Sequence, residues 1–103
     1  MKQREIIELR SVGPRRDTVE QALKEMLVSS TTGPEGYDVT LFRHAEVETD
    51  LAVHIVCEGR TVLHDGSRLG HHLVEFLRRF GLVNHDLWIS MEPMNEALAG
   101  GKE

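Results

Sequence analysis

The chain has one cysteine, Cys57, among 103 residues. A lone thiol cannot close an internal disulfide and suits a reducing compartment. No apolar run approaches the roughly 18 residues that a membrane helix needs. The opening Met1-Lys2-Gln3-Arg4-Glu5 has no apolar signal core. The expected location is therefore the cytoplasm, with no membrane partner. Basic residues are in the minority: 12 Lys and Arg face 17 Asp and Glu, for a formal net charge of −5. A duplex nucleic-acid binder needs a cationic footprint, so no nucleic-acid partner is expected. Gly33-Pro34-Glu35-Gly36 lacks the lysine and following helix of a phosphate-binding loop.

What is present has a globular balance, 40% hydrophobic and 28% charged. A chain of this size makes one domain and buries roughly two-thirds of its unfolded surface. The domain is expected over 1–95, followed by a flexible tail over 96–103 that contains Gly100-Gly101.

Glu5 to Val12 alternates Ile7 and Leu9 with Glu8 and Arg10, the period of a strand. A short helix also fits Ile6, Leu9 and Arg10. Asp17-Thr18-Val19-Glu20 reads as an N-capped helix start, with Glu20 reaching back, and Val19, Leu23, Met26 and Leu27 on one face. Tyr37 to Ala45 and Leu51 to Glu58 alternate as strands. Closing them through Glu48-Thr49-Asp50 would pair His44 with His54 and Phe42 with Val56. Asp65-Gly66 predicts a turn and Ser67 a helix cap. Leu69, Leu73, Phe76, Leu77 and Phe80 form an apolar face, Arg78-Arg79 fall in the last turn, and Gly81 fits the left-handed position beyond it. Val83 to Met91 is the last strand. The order is βαββαβ, which predicts a ferredoxin-like α+β fold: a four-stranded antiparallel sheet with two helices on one face.

Parity divides the strand residues. Ile7, Leu9, Val39, Leu41, Val53, Ile55, Leu87 and Ile89 are aliphatic and should face the helices. The other set is mixed: Ile6, Glu8, Arg10, Thr40, Phe42, His44, His54, Val56, Asp86, Trp88 and Ser90. With the first and third strands central, Glu8, Arg10, His54 and Val56 fall mid-face, flanked by Phe42, His44 and Trp88. No helix is left to cover this face, yet it is too apolar to be purely solvated. A second copy of the chain is the simplest cover.

In length, element order and half-apolar open face, Glu5 to Met91 resembles the dimeric α/β-barrel superfamily, which includes the antibiotic-biosynthesis-monooxygenase-like domains. The resemblance implies a homodimer with its sheets face to face. It also implies a ligand cavity between sheet and helices or inside the barrel, and oxidation of a polycyclic substrate or haem without a bound redox cofactor. The haem-degrading branch uses an Asn on the first strand together with a Trp and a His. This first strand has no Asn and Trp88 lies on the last strand, so that catalytic set is not carried over.

Several residues carry both a functional and a plain reading. His44 and His54, side by side, would shuttle protons or bind a metal; the plain reading is a cross-strand pair at a dimer interface. No His or Cys cluster has the spacing of a known zinc site, so no metal is expected. Glu8 and Arg10 would orient a polar ligand or make interface salt bridges, Arg10 by bidentate contact with a carboxylate. Phe42 would wall the site, and Trp88 would stack on a planar ligand or anchor the interface. His71 should face solvent and His72 border the core, and neighbours on a helix diverge by about 100° and cannot readily share one metal. His64 and His85 read as loop or capping residues. Cys57 follows the aliphatic parity and should be a buried, inert thiol.

Three functions compete. The first is a homodimer that binds a planar small molecule with cofactor-free monooxygenase-like chemistry. His54 and His44 are its acid–base candidates, and Glu8, Arg10, Phe42 and Trp88 its ligand contacts. The second is a non-enzymatic dimeric interaction or regulatory domain whose open face is consumed by the partner. The third, an RNA-binding domain, requires aromatics on the central strands, where the sequence has none.

Overall fold

The computed structural model describes residues 2–11, 16–30, 38–58 and 65–91. Its elements are β1 (Lys2–Ser11), α1 (Arg16–Ser30), β2 (Asp38–Arg43), β3 (Asp50–Glu58), α2 (Arg68–Leu77) and β4 (Gly81–Ile89). They form one antiparallel sheet in the order β2-β3-β1-β4. The expected ferredoxin-like α+β fold is present, with β1 and β3 central. Tyr37, His64, the loop through Gly33-Pro34 and the tail over 96–103 lie outside the described residues.

Parity decides which face is core. Ile7, Leu9, Leu51, Val53 and Ile55 are buried against Val19, Leu23 and Leu27 of α1 and Leu69, Leu73, Val74 and Leu77 of α2. Val39, Leu41 and Val83, on the edge strands, are half-buried against the same cluster. Removing such aliphatic surface from water contributes about 25 cal/mol per Å² and is the main force holding the two helices to the sheet. Cys57 is half-buried rather than buried. It sits near the end of β3, opposite Gln3.

Local chemistry corrects several expectations. α1 starts one residue before Asp17, so that carboxylate lies inside the first turn, where it suits the helix dipole. Glu20 makes an ion pair with Arg43 of β2. Ser67 does cap α2, its Oγ accepting from Gly70 N at 2.9 Å. Gly81 is not left-handed. It opens β4, where an added Cβ would run into the Arg10 carbonyl, so its role is close backbone approach. Among the described residues the left-handed glycine is Gly66, with φ 90° in the turn before α2. His85 is a mid-strand residue opposite Ile7, not a loop or cap.

Candidate functional site

The open face of the sheet is laid out by register in four rows. Across β2-β3-β1-β4 they run Asp38-Val56-Arg4-Trp88, then Thr40-His54-Ile6-Asp86, then Phe42-Ala52-Glu8-Asn84, and finally the Asp50-Arg10-Leu82 row. His44 N donates to Asp50 O at 3.0 Å, which adds His44 to the last row. His44 and His54 are therefore not side by side, and Phe42 pairs with Ala52 rather than Val56. The register is shifted by four residues from that of the short loop, and His44 faces Asp50 across a turn over 45–49, because His44 organises the turn itself. Its Nδ1 accepts from Glu46 N at 3.1 Å and Val47 N at 3.0 Å. The shift is even in number, so every side chain keeps its expected face.

A recess of about 690 Å³ opens on this face. Ala52 is its floor, and the small side chain creates the space. Glu8, Arg10, Phe42, His44 and His54 line it, with Leu82 and Asn84 from β4. Trp88 is outside, four residues along β4 from Asn84, or about 13 Å at the rise of a strand. Five of the six sequence-derived candidates thus border one recess, and the sixth stands apart.

The imidazole of His54 packs against the Phe42 ring, with centroids 4.3 Å apart. Its Nδ1 is buried with no hydrogen-bond partner. Burial holds its pKa below the ordinary histidine value, Arg4 pushes the same way, and Glu8 opposes both. The ring is therefore neutral at pH 7. Arg10 is exposed and meets Asp50 at 3.8 Å, a loose surface pair of the kind that contributes little to stability. His44 is different: with both backbone donors on Nδ1, its proton is on Nε2, and the residue offers a donor rather than a base.

The helix-facing side holds a cluster that the sequence reading missed. Glu5 is only 2% exposed. Its Oε1 accepts from Ser67 N at 2.8 Å, and its Oε2 lies 2.8 Å from His85 Nε2. Gly70 and Gly66 make room for the carboxylate. The His71 ring meets the His85 ring nearly at right angles, with centroids 5.9 Å apart. His72, expected at the core border, is exposed. The signal available in the sequence was Glu5 itself, a charged residue at a core parity. Among the described residues no three or more His, Cys, Asp or Glu side chains are placed to hold a metal ion together. No described helix is long and apolar enough to cross a membrane.

No protein-family model and no curated protein matches the chain. Among solved structures, the crystal structure of a point mutant of SnoaB, from Streptomyces nogalater, superimposes with a TM-score of 0.65. The likeness covers 89% of this chain and 95% of that one at 13% identity. SnoaB is a cofactor-independent oxygenase. The fold is shared with such an enzyme. At that identity the likeness concerns the backbone arrangement alone, and the antibiotic-biosynthesis-monooxygenase-like resemblance holds at the level of fold.

Proposed function

We propose that this chain is a homodimeric α/β-barrel protein that binds a planar, ionisable aromatic molecule in the open-face recess and oxygenates it without a bound redox cofactor. The observation that carries the reading is His54, a neutral imidazole beside Phe42 and Glu8 at the edge of that recess. The fold shared with a cofactor-independent oxygenase supports it. A second copy is the proposed cover, because Leu82 and Trp88 are 71% and 61% exposed on the uncovered face.

In this reading Phe42 packs against the flat ligand and Arg10 meets its anionic edge. His54 accepts a proton from an acidic ring C–H, and Glu8 favours the imidazolium that results. The substrate anion passes electrons to dioxygen. A C–O bond forms, the O–O bond breaks, a CH2 becomes C=O, and the second oxygen leaves with two hydrogens as water. Dioxygen is the oxidant and the substrate supplies its own electrons, so the sum balances without a flavin or metal.

The test is oxygen uptake with dithranol, an air-oxidisable tricyclic phenol. Catalysed uptake by the wild type should fall about 10²- to 10⁴-fold in His54→Ala, the size expected for a positioned acid–base group. Circular dichroism and oligomeric mass should be unchanged. Uptake at the uncatalysed rate by an intact dimer would instead favour a non-enzymatic interaction module. Two observations favour that second reading: His44 is committed to its turn, and Arg10 already has Asp50.

A further inference from the structure

The Glu5, His85 and His71 cluster lies on the opposite side of the sheet from the recess, and the proposed oxygenation does not use it. We infer that His85 and His71 form a binding site for a divalent transition-metal ion of the zinc class, with Glu5 as the carboxylate that orients His85.

Glu5 is held by a backbone N–H on one oxygen and by His85 on the other. His85 Nε2 is therefore engaged by the carboxylate, at 2.8 Å from Oε2. Nδ1 is then the nitrogen left for a ligand. Metal-bound histidines characteristically donate their second N–H to a carboxylate in this way, which fixes the tautomer and raises ligand basicity. The second ligand is within reach. Two imidazoles on one zinc ion, at 2.0–2.1 Å per Zn–N bond, place their centroids about 5–6 Å apart. The rings of His71 and His85 are 5.9 Å apart. His71 is exposed on α2 and can turn to present a nitrogen, whereas His85 is fixed by Glu5. The chain supplies two nitrogens and water completes the shell, an open site of the kind that takes an exogenous ligand.

The test is titration of the purified full-length protein with Zn²⁺ alone, followed by calorimetry and by native mass spectrometry. One ion per chain is expected. His71→Ala should abolish binding, and this exposed substitution does not threaten folding. Glu5→Gln should weaken binding about 10- to 100-fold, the usual effect of losing an orienting carboxylate. His72→Ala, one position along the same helix, should bind as the wild type does. No bound ion in the wild type, an ion retained by His71→Ala, or equal loss in His72→Ala would each overturn the assignment.

Discussion

Gly70→Ala is the most demanding substitution to reason about, because two effects of opposite sign meet at one methyl group. Gly70 is in the first turn of α2, where alanine should stabilise the helix by about 1 kcal/mol. An added Cβ, however, would occupy the position of Glu5 Oε2. The carboxylate would have to leave, giving up its bonds from Ser67 N and His85 Nε2. Each hydrogen bond to a charged group contributes about 1.5–3 kcal/mol, so the net expectation is a loss of about 2–4 kcal/mol after the helix gain and partial resolvation. Urea unfolding at constant m-value measures it, and a fall in Tm of about 8 °C or more should accompany it. The assignment of cause is checked in a Glu5→Ala background, where the new methyl meets no carboxylate and should be neutral or stabilising. The same penalty in both backgrounds would show that the Glu5 carboxylate is not the cause, as would a neutral Gly70→Ala in the wild type.

Two further outcomes follow from the open face. His54 has a folded-state pKa below its ordinary value, so the unfolded chain binds more protons in the window between the two. Its contribution to stability is complete above about pH 6.5 and is lost as pH falls through the lower folded value. Urea midpoints measured downward from pH 7.5 should therefore drop less steeply for His54→Gln than for the wild type, and equal slopes would contradict the buried neutral imidazole. Trp88→Glu should leave the stability of the single chain within about 0.5 kcal/mol, as expected for an exposed position. Sedimentation should show the same variant as a monomer; a dimer that survives the charge would remove Trp88 from the interface.

The sheet was legible in the sequence because Ile7, Leu9, Val53 and Ile55 obey a strict period of two. Leu69, Leu73 and Leu77 announced α2 equally well, together with the Ser67 cap. The start of β1 was not legible. Gln3 and Glu5 occupy core parity with polar side chains, and a pattern search that equates core with apolar cannot see a carboxylate kept inside by Ser67 and His85. The turn between β2 and β3 was misjudged because His44 acts as its backbone acceptor, a role more often given to Asn or Asp. Gly81 looked like a helix terminator, but its function is set by the Arg10 carbonyl, seventy-one positions earlier in the chain. On the open face, parity correctly grouped Glu8, Phe42 and His54. It could not show that Trp88 stands one row from His54 and two from Phe42 and Glu8, because that depends on the register between β1 and β4.

The central position of β1 has a consequence for how the chain reaches this state. β1 is made first, yet both of its neighbours come later: β3 pairs with it from Asp50 onward and β4 from Gly81 onward. The local β2–β3 hairpin can close while synthesis continues, but its partner strand must wait for a long loop to close. The far edge of β1 stays unsatisfied until β4 emerges, with Ser90 N finally donating to Lys2 O at 2.8 Å. On the ribosome, the sheet is therefore completed only once β4 has emerged, and until then Ile6, Ile7 and Leu9 travel on a strand with an open hydrogen-bonding edge.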